Sequence, residues 1–170
     1  MRQALLIIAQ RGYQDHELDG TRQGLLSGGF SIVLSSTEAG ECIGKFGGSE
    51  QSTVALRDVR VKDYDCIAFI GGPGASALAS DTDALRVAND AARADMPLGA
   101  ICIAPTILAK ARVLNGRKAT VWNEDGQQSQ LLEQYGAEYT GDTVTVDGKI
   151  VTGNGPGAAV EFGTTLATLQ

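Results

Sequence analysis

The chain has 170 residues, with 14 basic and 20 acidic side chains and a net charge of −6. This length predicts one domain spanning 1–170 that buries roughly 70% of its unfolded surface without disulfides or metal, and the acidic balance argues against nucleic acid or an anionic membrane as partner. The single histidine, His16, excludes a metal site built on two imidazoles and leaves little room for a Ser-His-Asp triad.

In chain order, residues 4–9 form a continuous apolar run that predicts a buried strand. Residues 17–28 predict a helix with Leu18, Leu25 and Leu26 on its apolar face, ending at Gly28-Gly29. A second strand covers 30–35, and the glycine-rich stretch 40–48 predicts an irregular loop. A third strand, 66–70, runs straight into Gly71-Gly72-Pro73-Gly74. Ser80 with Asp83 resembles a capping box, opening a helix with Leu85, Ala88 and Ala92 on one face. A strand over 98–101, a helix over 103–113, a strand over 118–121 and a helix over 127–135 follow. Residues 144–146 and 149–152 flank Asp147-Gly148 and predict a hairpin with a type I′ turn. Phe162, Leu166 and Leu169 mark a terminal helix.

Alternating strands and helices predict an α/β fold: an open, mostly parallel sheet with helices on both faces. Ligands in such sheets bind beyond the carboxyl ends of the strands. The loops at 10–17, 71–75 and 100–106 all follow predicted strands, so they can meet at one edge. The N-terminal apolar run is too short for a secretion signal, and nothing approaches the roughly 20 apolar residues of a membrane span. Cys42, Cys66 and Cys102 are odd in number and far apart, which predicts reduced thiols in a cytoplasmic protein.

Cys102 stands at a strand-to-helix corner, because Pro105 fits the first turn of a helix and would damage an interior turn. This is the placement of a nucleophile elbow, with sulfur in place of hydroxyl. A helix N-terminus favours thiolate and predicts a lowered thiol pKa. The amide of Ile103 would point into the same space and could serve an oxyanion. Cys66 reads instead as a structural mid-strand residue and Cys42 as incidental. The glycines at 71–74 lack the Lys-Ser/Thr of a phosphate loop and are explained by close backbone approach to Cys102.

The stretch Ala100-Ile101-Cys102-Ile103-Ala104-Pro105-Thr106 resembles the nucleophile elbow of the PfpI superfamily, which includes the Parkinson-disease-associated deglycase and glutathione-independent glyoxalases. Three further stretches match that family's motifs in order. They are Asp15-His16-Glu17-Leu18, Tyr64-Asp65 leading into Gly71-Gly72-Pro73-Gly74, and Val151-Thr152-Gly153-Asn154-Gly155-Pro156-Gly157 followed by Glu161-Phe162. The resemblance implies a flavodoxin-like three-layer α/β/α sandwich and a homodimer. It implies Cys102 as nucleophile, Glu17 as its carboxylic acid, the amides of Gly72 and Ile103 as oxyanion donors, and Gly71 and Trp122 as pocket residues. It implies no metal and no cofactor, and a small-molecule carbonyl substrate as partner. A carboxyl beside a thiolate in a narrow pocket has its pKa raised, so Glu17 could hold and shuttle a proton.

The departure from the family concerns histidine. Ile103 follows the cysteine directly where some members have His, and Trp122 stands where the deglycase branch has another. His16 neighbours Glu17, but adjacent helical residues point about 100° apart, so it reads as a surface residue. A PfpI-type hydrolase or peptidase needs an imidazole for its leaving amine and is poorly supported. Glyoxalase or deglycase chemistry needs only a Cys-Glu pair. The alternatives are a redox-sensing stress protein oxidised at Cys102 and a chaperone-like protein.

Overall fold

In the computed structural model, which describes residues 1–169, the first apolar run becomes β1 (Arg2–Ile7), the third strand from one edge of a seven-stranded sheet. It is followed by β2 (Arg11–Tyr13), α1 (Asp15–Ser27), β3 (Phe30–Ser36), β4 (Gly40–Gly44), β5 (Ser49–Ser52) and β6 (Val54–Ala55). Next come β7 (Cys66–Phe69), α2 (Thr82–Arg93), β8 (Leu98–Ile101), α3 (Pro105–Lys110), β9 (Lys118–Ala119) and α4 (Gln127–Gln134). The chain continues through β10 (Glu138–Tyr139), β11 (Val144–Asp147), β12 (Ile150–Gly153) and α5 (Ala159–Thr168). The sheet order is β11-β12-β8-β7-β1-β3-β6. Every neighbouring pair is parallel except the β11–β12 hairpin.

The central strands are apolar on both faces because both are covered. Leu5, Ile7, Ile67 and Phe69 face a core shared with α2 and α3. Ala4, Leu6, Ile8 and Ala68 face a second core shared with α1 and α5. The result is the three-layer α/β/α sandwich, flavodoxin-like in kind. No helix among the described residues is long and apolar enough to cross a membrane.

The α1–α5 contact is closer than an ordinary helix pair. Gly20, Gly24 and Gly28 recur every fourth residue, so they share one face. A Cβ on Gly24 would lie 2.5 Å from the Thr164 amide nitrogen and 2.7 Å from the Gly163 carbonyl carbon. One on Gly20 would meet the Ala159 Cβ at 2.6 Å. The buried face of α1 is therefore Glu17, Leu18, Gly20, Thr21, Gly24 and Leu25, whereas Leu26 is 53% exposed and does not join it. Glycine thus serves helix packing here, as well as the close backbone approach expected at 71–74.

Other expectations shift for local reasons. Residues 40–48 are not irregular: β4 and β5 pair antiparallel, and β2 joins β4 to complete a separate three-stranded sheet. The Asp15 carboxylate fastens the turn of this arm by accepting from the amides of Phe46 (2.9 Å) and Gly48 (2.8 Å). The cap of α2 is Asp81, not Ser80; its carboxylate accepts from the amides of Asp83 and Ala84. On α2 the buried face is Ala84, Val87, Ala88 and Ala91, so Leu85 and Ala92 lie at its margin. The helix expected over 103–113 is α3 alone, closed before Arg112, whose φ is 64°. β9 leaves the main sheet and pairs with β10. In the hairpin Asp147 pairs with Ile150, which makes Gly148-Lys149 the turn. Of these two only Gly148 has positive φ, 61°, the pattern of a type II′ turn rather than I′.

Candidate functional site

The carboxyl ends of β1, β7 and β8 deliver three loops to one edge, and their backbones interlock. Gln14 donates its amide to the Gly71 carbonyl at 2.9 Å. Its side-chain oxygen caps α1 by accepting from the amides of His16 (2.7 Å) and Glu17 (3.0 Å). This fixes the first turn of α1 and aims Glu17 inward. Glu17 is fully buried. Its Oε1 accepts from the Gly71 amide at 3.0 Å, while Oε2 is buried without an ordinary hydrogen-bond partner.

Cys102 follows directly on β8 and has φ of 64°, a left-handed conformation that costs a residue with a Cβ roughly 1–2 kcal/mol. Two hydrogen bonds hold it there. Its amide donates to the Gly153 carbonyl at 2.9 Å, and its carbonyl accepts from the Trp122 amide at 2.9 Å. The side chain is partly exposed and faces Glu17. The amides of Ile103 and Gly72 approach the sulfur. Gly71 is small of necessity: a Cβ there would lie 2.6 Å from the Cys102 Cβ and 2.7 Å from Glu17 Oε1. Gly72 has φ of 114°, and a Cβ there would lie 2.5 Å from the Gln14 nitrogen.

Burial pushes the Glu17 carboxyl up from its ordinary 4.5 to about 7, against the opposing pull of the thiol, the Gly71 amide and Lys45. The Cys102 thiol is pushed up to about 12, first by burial and then by the Glu17 charge, while the Ile103 and Gly72 amides act downward. The lowered thiol pKa expected from a helix N-terminus is therefore not what the site produces. α3 has only six residues and no side-chain cap, so its dipole is small beside the desolvation. What the geometry creates is a coupled pair. Its first proton leaves near neutrality and its second is held tightly. With the remaining proton on Glu17, the like-charge repulsion on sulfur disappears.

Cys102 and Glu17 open into a cavity of about 580 Å³ whose lining includes Gln14, Lys45, Gly72, Ile103, Trp122 and Gln128. Glu17, Gly72, Cys102, Ile103 and Trp122 line it as expected, whereas Gly71 packs against Cys102 and Glu17 without lining the cavity. His16 is not: it is exposed and its ring stacks on Phe46, with centroids 5.1 Å apart. Cys66 is fully buried, its thiol pushed up to about 12 by burial, and Cys42 is fully buried as well.

Sequence reasoning missed Gln14 and Lys45. Gln14 was findable, since it directly precedes an acidic first turn and occupies the cap position. Lys45 carried no local signal. It reaches the cavity only because the 40–52 arm folds back over α1.

The DJ-1/PfpI family model matches residues 2–169 of the chain. An uncharacterized protein of Methanocaldococcus jannaschii is 32% identical over 160 residues, covering 94% of this chain and 78% of that protein. The glutathione-independent glyoxalase DJR-1.2 of Caenorhabditis elegans is 29% identical over 163 residues, covering 95% of this chain and 84% of that one. Among solved structures, a ThiJ/PfpI domain protein from Brachyspira murdochii superposes with a TM-score of 0.92 at 24% identity, over 97% of this chain and 94% of its own. Drosophila melanogaster DJ-1beta superposes with a TM-score of 0.87 at 25% identity, over 98% and 88%.

Proposed function

The chain belongs to the DJ-1/PfpI family, and from that premise we propose that it converts small reactive dicarbonyls to hydroxy acids without glutathione, using Cys102 and Glu17. The observation that carries this reading is the fully buried Glu17, whose carboxyl meets the Cys102 thiol at a shared cavity and whose Oε2 has no conventional hydrogen-bond partner. A carboxyl poised at about 7 can both take and give a proton at neutral pH.

On methylglyoxal, the Cys102 sulfur adds to the aldehyde carbon and the carbonyl oxygen takes up a proton, giving a hemithioacetal. The developing negative charge on that oxygen meets the amides of Gly72 and Ile103. Glu17 removes the proton from the former aldehyde carbon and returns a proton to the neighbouring carbon. This isomerises the adduct to a thioester of lactate. Water then hydrolyses the thioester and restores the thiol. The balance is one dicarbonyl and one water to one hydroxy acid, with no net change of oxidation state.

A homodimer, a cytoplasmic setting and a single unit over 1–170 belong to the same proposal. A peptidase finds no support here, because the imidazole of His16 is turned to Phe46. A redox sensor depends on a thiolate-rich cysteine, whereas burial and the Glu17 charge push the Cys102 thiol up.

The test is lactate formation from methylglyoxal by purified protein with glutathione absent. Wild type is expected to produce it, and Cys102→Ser and Glu17→Gln to lose at least a hundredfold in kcat/KM. A wild-type protein that makes no lactate refutes the proposal.

A further inference from the structure

A second cavity of about 250 Å³ adjoins the first and shares Ser76, Ile103 and Gln128 with it. Its remaining lining includes Thr106, Gln127 and Lys110. The two chambers differ in charge. The first holds two carboxyls, Glu17 and Glu124, with one cation, Lys45. The second has a single charged residue, Lys110. Lys110 is half-buried and makes no ion pair among the described residues.

At the boundary the side-chain oxygen of Gln128 is buried and has no hydrogen-bond partner. An unmet acceptor of this kind is unfavourable unless a ligand or water supplies a donor.

We propose that the second chamber is a subsite for the anionic tail of a carbonyl substrate longer than methylglyoxal, with Lys110 meeting the charge. The proposal rests on the reading of Cys102 as the nucleophile that attacks the carbonyl. Cys102 precedes α3 and Lys110 ends it. The helix rises roughly 8 Å from Pro105 to Lys110, and long helical side chains lean back toward the N-terminus. A chain of about five carbons bridges that span. The carbonyl end then lies at Cys102 and a carboxylate or phosphate at the Lys110 ammonium.

The probes are methylglyoxal and dioxovalerate, the same ketoaldehyde extended to a terminal carboxylate. Wild type is expected to prefer dioxovalerate at least tenfold in kcat/KM. Lys110→Gln should lower that ratio about tenfold, and Lys110→Arg should keep it. A second readout does not need turnover. Levulinate, a keto acid with the same carboxylate and no aldehyde, should slow iodoacetamide alkylation of Cys102 in wild type and Lys110→Arg but not in Lys110→Gln. A ratio and a protection both indifferent to residue 110 overturn the subsite, even if methylglyoxal is turned over. Lys110-dependent protection without turnover of either ketoaldehyde upholds the subsite and refutes the glyoxalase reading.

Discussion

Glu17 ties the chemistry of the site to the stability of the fold, and the sign of that link can be worked out. Its carboxyl is raised from 4.5 to about 7 by burial. Between those values the folded chain keeps a proton that the unfolded chain has released, so stability falls as pH rises. The contribution is fully present below 4.5 and is lost as pH passes through 7. A shift of this size corresponds to about 3 kcal/mol at 1.36 kcal/mol per tenfold change in proton affinity. About 2 kcal/mol of that loss falls between pH 5.5 and pH 8. Glu17→Gln removes the ionisation while its amide oxygen can still accept from the Gly71 amide. Both pH values lie below the ordinary thiol pKa of about 8.5, and the folded Cys102 thiol is pushed higher still. Thermal unfolding of the two proteins at each pH isolates the effect, since titrations outside the Cys102–Glu17 pair are common to both. The variant should gain on wild type by about 2 kcal/mol from pH 5.5 to pH 8, or roughly 4–8 °C in Tm for a chain of this size. A Tm difference, variant minus wild type, that stays constant or falls from pH 5.5 to pH 8 would show that Glu17 does not hold its proton to near neutrality. The reasoning about a shared proton would then fail.

Gly24→Ala should lower stability by about 1–2 kcal/mol in urea unfolding, because the helix-propensity gain of about 1 kcal/mol is smaller than the cost of pushing a Cβ into α5 backbone 2.5 Å away; a rise in the midpoint would contradict the close packing. Under native conditions at pH 8, iodoacetamide should label Cys102 and leave Cys66 untouched, since Cys66 is fully buried whereas Cys102 is partly exposed at the cavity. Peptide mass mapping that found Cys66 modified first would refute this ordering.

The layers of the fold were legible because buried parallel strands are written as unbroken apolar runs. β1, β7 and β8 each follow from a few consecutive residues. The 40–52 arm was not legible, because its pairing depends on Asp15, a residue some thirty positions earlier whose carboxylate accepts from two amides in the turn. Leu26 misled for a related reason. Its spacing suits an apolar helix face, but α5 presses close enough to α1 that the contact selects glycine over leucine. Cys102 and Glu17 could be named from local sequence and a family resemblance. The direction of the thiol shift could not. It depends on how deeply both groups sit and on their mutual approach, which only three-dimensional packing sets.

The site gathers features that each work against stability. Cys102 stands in a left-handed conformation, Glu17 is buried with one oxygen unpartnered, and Gly71 and Gly72 admit no side chain. Such departures from local rule concentrate where geometry serves chemistry. Here they have a common effect, which is to hold two acidic groups against each other where water solvates neither well. With an imidazole in the cavity, each group could pass its proton to a third partner. The lone histidine lies outside it. In the proposed reaction, the proton that leaves the thiol on attack and the proton that moves along the bound carbon chain must then be handled by the same carboxyl. That requirement calls for a Glu17 that is neutral in one step and ionised in the next, and a carboxyl raised to about 7 is suited to both.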